Sequence, residues 1–152
     1  MGKTALASNI AFHAASQALE DSETERQVVA FFSLEMSAEQ LATRILAEET
    51  GVGGDKIRRG ELSHEEFDRL VLAAEKLSKT PIFIDDTPAI TVSALRTRAR
   101  RLMRQHGLSL IVVDYLQLMR PSVNTRADNR VLEISDITRG LKAVAKELNV
   151  PV

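Results

Sequence analysis

Three nearly unbroken runs of apolar residues stand out in a chain that otherwise mixes polar and apolar positions. The runs are QVVAFFSLE (27–35), PIFIDD (81–86) and LSLIVVDYL (108–116). A strand that is exposed on one face alternates apolar and polar residues, whereas a strand covered on both faces does not. The pattern therefore predicts three strands that lie inside a parallel sheet.

Apolar residues recur at helical spacing in the segments around these runs. The predicted helices span 3–20, 37–51, 63–79, 91–107 and 128–149. Two of them begin with the spacing of a capping box, in which a serine and a Glu or Gln three residues later bond free N–H groups. Because strands alternate with helices, the sequence predicts an α/β fold with a mainly parallel sheet flanked by helices.

The chain opens with Gly2, Lys3 and Thr4, directly before the first predicted helix. These residues match the end of the P-loop pattern G-x-x-x-x-G-K-[ST]. In a P-loop, backbone N–H groups surround the phosphates, the lysine reaches the β- and γ-phosphates, and the hydroxyl binds Mg²⁺. The first half of the pattern does not precede Gly2, and the tripeptide alone also occurs by chance. It therefore needs support from elsewhere in the chain.

That support comes from acids at the ends of the predicted strands. They are Glu35, the pair Asp85 and Asp86, and Asp114. The carboxyl ends of parallel strands meet at one edge of the sheet, where ligands bind. At such an edge Asp114 is placed to hold Mg²⁺, and Glu35 to take a proton from a water that attacks the γ-phosphate. For Asp85 and Asp86, capping of helices is an equally good interpretation.

The composition and net charge of the chain exclude several classes of protein. The chain has 152 residues, a net charge of −1 and no cysteine, which excludes disulfides and thiolate metal sites and favours a cytoplasmic location. No apolar run is long enough to cross a bilayer. A protein of this charge can bind nucleic acid only through a local basic patch.

One part of the chain is basic enough to bind nucleic acid. Between Thr87 and Arg130 there are eight arginines and two acids. Five of the arginines lie on the predicted helix 91–107, where a solvated surface is the simpler interpretation. Arg120, Arg126 and Arg130 lie on a polar segment after the Asp114 strand, and we expect them to contact the phosphates of single-stranded DNA. An ordinary polar loop is the alternative.

Several longer segments together carry a resemblance to a known family. They are MGKTALA, FFSLEMSAEQLATRILAEETGV, PIFIDDTPAITVSALRTRARRL, LIVVDYLQLM and EISDITRGLKAVAKELNVPV. In this order, and over nearly the whole chain, they resemble the bacterial replicative DNA helicases of the DnaB type. The resemblance implies a RecA-like P-loop ATPase core with ATP and Mg²⁺ as cofactors. It also implies a homohexameric ring around single-stranded DNA, with primase and a helicase loader as partners.

The resemblance also assigns roles to individual residues. Gly2, Lys3 and Thr4 correspond to the nucleotide-binding residues of the family, with Thr4 also a Mg²⁺ ligand. Glu35 corresponds to the catalytic glutamate, alongside Lys3, and Asp114 to the aspartate associated with Mg²⁺. Compared with the family, the front of the P-loop and everything after the NVPV segment are missing. We therefore expect residues 1–152 to be a partial ATPase domain, truncated at both ends and inactive by itself.

Other functions are compatible with parts of this pattern. A RecA-like recombinase or DNA-repair ATPase shares the fold and the acids at the strand ends, and a small-molecule P-loop kinase shares the lysine. The SLEMS and DYLQLM segments favour the helicase. A folded module without catalytic activity is the remaining alternative for this chain.

Overall fold

The computed structural model describes residues 2–20, 27–121 and 130–152. In chain order, the elements of this part are α1 (Lys3–Glu20), β1 (Val29–Ser33), α2 (Ala38–Thr50), α3 (Gly54–Arg59), α4 (His64–Lys79), β2 (Ile82–Asp85), α5 (Val92–His106), β3 (Leu110–Asp114), a 3₁₀ turn (Leu116–Leu118) and α6 (Arg130–Leu148). All the predicted strands and helices are present, although the strands are shorter than the apolar runs. The six-residue helix α3 was not predicted.

Within the described residues the strands form one parallel sheet in the order β2-β1-β3. The central strand β1 is buried along its whole length, which explains why its sequence is apolar without alternation. Beside β3, the Ile111 amide donates a hydrogen bond of 3.0 Å to the Pro151 carbonyl. The segment after α6 thus lies against the outer side of β3.

Helices cover both faces of this sheet. Phe31 points toward α1 and α2, where it joins a cluster with Phe12 and Leu41. Phe32, the next residue, points to the opposite face and packs with Leu95 of α5, among others. The α/β architecture predicted from the sequence is therefore present.

None of the helices in the described part combines the length and the apolar character that crossing a bilayer requires.

The arginines of α5 make ion pairs that join this helix to its neighbours. Arg96 lies 3.5 Å from the Glu147 carboxylate of α6, and Arg100 also pairs with Glu147. Arg98 pairs with Asp85 at the end of β2. These side chains are partly exposed, so each pair adds little stability. Their contacts support the interpretation of α5 as a surface helix.

The contact between α5 and α6 depends on a glycine, and this gives a testable prediction. A Cβ on Gly140 would lie 2.8 Å from Cγ1 of Val92, a stiff side chain that is itself buried. Gly140→Ala is therefore expected to lower the free energy of unfolding by about 1–3 kcal/mol through overpacking, despite the better helix propensity of alanine.

Urea denaturation monitored by circular dichroism measures this loss. Gly54→Ala is the matched control, because a Cβ there meets no atom closer than 4.0 Å. It should leave the midpoint unchanged or raise it. A Gly140→Ala midpoint at or above that of the unchanged protein would show that the two helices are not closely packed here.

Candidate active site

The pairing of β1 with β3 brings two of the predicted site residues to the same edge of the sheet. Ser33 is paired with Asp114 in the register, and the Leu34 amide donates a hydrogen bond of 2.8 Å to the Asp114 carbonyl. Glu35 follows directly after Leu34. Asp114 and Glu35 therefore lie at the same edge of the sheet, where these two neighbouring strands end, as the sequence pattern predicted.

Asp114 is the more buried of these two acids. Its side chain is only 4% exposed, and its Oδ2 atom is buried without a hydrogen-bond partner among the described residues. A buried carboxylate oxygen is costly unless something compensates its charge. This donor fits Mg²⁺, which is usually held by one or two carboxylates together with substrate phosphates.

The described side chains contain no group of three or more acids or histidines that could hold a metal ion by themselves. A Mg²⁺ ion held by Asp114 would therefore need further oxygen ligands. Thr4, in the first turn of α1, carries a hydroxyl of the required type, and the phosphates of a nucleotide supply the rest. The residues present are thus suited to Mg²⁺ bound together with a nucleotide, and not to a metal site of their own.

Lys3 lies next to the end of β3. Its Nζ atom is 4.5 Å from the centre of the Tyr115 ring, a cation–π contact, and Tyr115 follows Asp114 in the chain. Gly2 precedes the helix with φ +93°, a conformation that side chains other than glycine rarely adopt, and its carbonyl accepts a hydrogen bond from Leu6. The Lys3 contact thus holds the start of α1 close to the end of β3. Tyr115 was not singled out from the sequence.

Glu35 lies on a tight turn between β1 and α2, and its side chain is exposed. The Ser33 hydroxyl donates a hydrogen bond of 2.7 Å to the Met36 carbonyl, which closes the turn across Glu35. The predicted capping box then begins α2: the Gln40 amide donates to the Ser37 hydroxyl, and the Ser37 amide donates to the Gln40 side chain. The Glu35 backbone is thus fixed, while its carboxylate faces solvent.

The two acids at the end of β2 both have structural partners: Asp86 caps a helix, whereas Asp85 makes an ion pair and a hydrogen bond to a loop amide. The Ala38 amide, at the start of α2, donates a hydrogen bond of 2.9 Å to Asp86 Oδ2. Asp85 pairs with Arg98 and accepts a hydrogen bond from the Thr87 amide. Burial alone would raise the pKa of the Asp85 carboxyl, but the hydrogen bonds from Arg98 and Thr87 outweigh it and leave that pKa lowered.

An open cavity of about 610 Å³ adjoins Glu35, between α2 and α3. Its wall includes Arg44 and Arg58, of which Arg58 pairs with Asp55. This basic wall was missed from the sequence because α3 was not recognised as a helix. Glu35 and these two arginines therefore line the same cavity.

The arginines predicted to bind DNA lie at and between the ends of the 120–130 segment. Arg120 is exposed, and its amide donates a hydrogen bond of 3.1 Å to the Ile90 carbonyl. The Arg130 guanidinium bonds the Gln117 carbonyl and pairs with Glu133 at 2.9 Å. Arg126 lies outside the described residues. Contact of these arginines with DNA stays a prediction.

Comparison with known proteins gives a consistent match over the whole chain. Residues 1–152 match the family model of the DnaB-like helicase C terminal domain. The replicative DNA helicase DnaB of Rickettsia bellii is 52% identical over 156 residues, which cover 100% of this chain and 31% of the relative. That of Geobacillus stearothermophilus is 46% identical over 152 residues, covering 100% of this chain and 32% of the relative. The chain thus spans about a third of the length of these curated relatives.

Two solved structures are also similar to this chain over nearly its whole length. A DnaB-like replicative helicase, studied with its interactions with primase, has a TM-score of 0.87 and 30% identity, covering 100% of this chain and 35% of that one. A second solved structure, of an ATPase domain, has a TM-score of 0.87 and 30% identity, covering 99% of this chain and 51% of that one. The fold is therefore that of a helicase ATPase domain, as predicted.

Proposed function

We propose that this chain contributes the ATP-driven motor of a replicative DNA helicase, because it belongs to the family of DnaB-like helicase C-terminal domains. The observation that carries the proposal is the buried carboxylate of Asp114, with an unpartnered Oδ2 atom, at the same sheet edge as Glu35 and next to Tyr115, which Lys3 contacts. Such an arrangement is costly for folding and suits an ATP-hydrolysing site. The domain assignment over residues 1–152 is part of the same proposal.

In this proposal the residues at the start of α1 bind the nucleotide. Backbone amides at Gly2 and after it donate to the phosphates, and the ammonium group of Lys3 neutralises the β- and γ-phosphates. Thr4 and Asp114 would hold Mg²⁺, which would supply positive charge next to the phosphates. Lys3 is kept next to the end of β3 by its contact with Tyr115.

Glu35 is the proposed general base. Its carboxylate accepts a proton from the water that attacks the γ-phosphate, which requires a fixed position and access to water. The closed turn over Ser33–Met36 supplies the fixed position, and the exposure of the side chain gives water access to the carboxylate. Both properties support the assignment.

The partners are proposed from the family and from the cationic side chains of the chain. Single-stranded DNA and a homohexameric ring follow from the family, and the 120–130 segment supplies cationic side chains for the DNA. Primase is proposed because a helicase with the same fold was studied with primase. A helicase loader and a cytoplasmic location rest on the resemblance and the composition alone.

ATP hydrolysis by the full-length protein, with and without single-stranded DNA, tests the proposal. We expect hydrolysis that requires Mg²⁺ and that single-stranded DNA accelerates. A DNA-repair recombinase would also hydrolyse ATP on DNA, but the matches to replicative helicases over the whole chain favour the helicase. A full-length protein that neither binds nor hydrolyses Mg·ATP would contradict the proposal and favour a module without catalytic activity.

The role of the 120–130 segment gives a separate prediction. Each phosphate neutralised on single-stranded DNA contributes about 0.7 to the slope of log affinity against log salt concentration. Arg126→Ala in the full-length protein is expected to weaken binding to all sequences alike and to flatten the slope by about that amount. Fluorescence anisotropy with a labelled oligonucleotide, over a salt series, measures the slope.

Arg59→Ala is the matched control, because Arg59 is an exposed arginine at the end of α3, in another part of the chain. It should not change the slope. The mass of the oligomer is checked at each salt concentration, since a loosened ring would also weaken binding. An unchanged slope with an intact oligomer would exclude Arg126 from the DNA-binding path.

A further inference from the structure

We propose that Asp86 is a positioning residue for Glu35, acting through the N-terminus of α2. The inference rests on the proposed role of Glu35 as general base, and it adds a residue to that site. Asp86 follows β2, and β2 is the neighbour of β1, the strand that leads into the Glu35 turn. The two acids are thus 51 positions apart in the chain and belong to adjacent strand ends.

Asp86 contacts the start of α2 through a single hydrogen bond. The Ala38 amide is the first N–H of α2, and such groups have no partner within their own helix. Asp86 Oδ2 accepts this hydrogen bond at 2.9 Å. A carboxylate is also favoured at this position because the start of a helix carries partial positive charge. Asp86 makes no ion pair with any of the described residues, so this bond is its main attachment.

The bond matters because Glu35 has no side-chain hydrogen bond among the described residues. The position of its carboxylate therefore depends on the backbone of the turn. At the start of the turn, the Leu34 amide bonds the Asp114 carbonyl at 2.8 Å, and Ser33 closes the turn onto Met36 at 2.7 Å. Both contacts come from β1 and β3.

Asp86 holds the other end of the turn. The end of β2 is itself fixed, since Asp85 pairs with Arg98 and bonds the Thr87 amide. A rigid strand end therefore supports the start of α2 from the side opposite β3. Without it, Ser37 would still cap α2 and Ser33 would still bond Met36, but the start of α2, which follows the Glu35 turn, would lose its hydrogen bond to the residue after β2.

Asp86→Ala in the full-length protein tests the inference. We expect kcat for ATP hydrolysis to fall between about tenfold and a hundredfold, because a displacement of about 1 Å in a reacting group has effects of this size. The KM for ATP should change by less than about twofold, since Asp86 does not contact the residues proposed to bind the phosphates. Asp86→Asn keeps an acceptor oxygen and should restore most of the rate.

Ser63→Ala is the matched control. Ser63 begins α4 with the same capping box that Ser37 forms at α2, but it lies away from the site. This variant should lose stability through its missing cap and keep the normal kcat. Thermal unfolding of both variants shows whether they are folded at the assay temperature. If Ser63→Ala lowers kcat as much as Asp86→Ala does, the effect is one of general stability and the inference is overturned.

The double variant with Glu35→Gln separates the two proposals. If Asp86 acts through Glu35, adding Asp86→Ala to Glu35→Gln should not lower kcat further. A further tenfold loss would overturn the inference while leaving the role of Glu35 intact, and so would a normal kcat in Asp86→Ala alone. A normal kcat in Glu35→Gln alone would overturn the proposed base, and the positioning role with it.

Discussion

Glu35→Gln is expected to lower ATP turnover by about a hundredfold or more, while leaving ATP binding intact. Glutamine preserves the shape of the side chain but cannot accept the proton of the attacking water. The turn that holds this position depends on backbone and serine contacts, which the substitution does not alter. Steady-state hydrolysis by the full-length protein on single-stranded DNA measures the turnover, and titration with Mg·ATP measures the binding.

Glu39→Gln is the control for this experiment. Glu39 is an exposed acid in the first turn of α2, four residues after Glu35, and its substitution should leave turnover unchanged. Equal effects of the two substitutions would indicate a loss of surface charge and not of a base. A normal rate in Glu35→Gln would remove Glu35 from the catalytic step.

Asp114→Asn should weaken binding of Mg·ATP by about tenfold to a hundredfold, the range typical of groups that support a bound metal ion. It should not unfold the protein. The Oδ2 atom of Asp114 is buried without a partner in the described part of the chain, and an uncharged amide costs less to bury there than a carboxylate. In the absence of nucleotide and Mg²⁺, the variant should therefore be at least as stable as the unchanged protein.

Weaker binding of Mg·ATP without a loss of stability distinguishes an acid that binds a ligand from one that only supports the fold. Calorimetric titration at several Mg²⁺ concentrations measures the affinity, and thermal unfolding without nucleotide measures the stability. Asp136→Asn serves as the control, since Asp136 is an exposed acid on α6. A loss of stability in Asp114→Asn with unchanged Mg·ATP affinity would show that this carboxylate supports only the fold.

Much of the fold can be predicted because burial leaves a direct trace in the sequence. Strand β1 is covered by helices on both faces, and its residues are therefore apolar without alternation. Helix α3 leaves no such trace: it has six residues, none of them buried, and lies between Gly53 and Gly60. The strand order β2-β1-β3 also has no local signal, since it depends on contacts between distant segments.

The candidate site could likewise be predicted only where it depends on local sequence pattern, and not where it depends on contacts between distant residues. Glu35 and Asp114 could be placed at one edge because parallel strands share the direction of their carboxyl ends. The sequence could not separate them from Asp85 and Asp86, since that depends on partners far along the chain. Arg98 neutralises Asp85, and the amide of Ala38 bonds Asp86, whereas Oδ2 of Asp114 has no partner among the residues that the structure describes.

Strand displacement on a forked DNA duplex with a single-stranded tail tests the proposed motor most directly. The full-length protein is compared with Mg·ATP, with a non-hydrolysable ATP analogue, and as the Glu35→Gln variant. We predict strand separation with Mg·ATP alone, and none with the analogue or the variant. A full-length protein that hydrolyses ATP on single-stranded DNA but separates no strands, or that separates them equally well with the analogue, would contradict the proposal of an ATP-driven helicase.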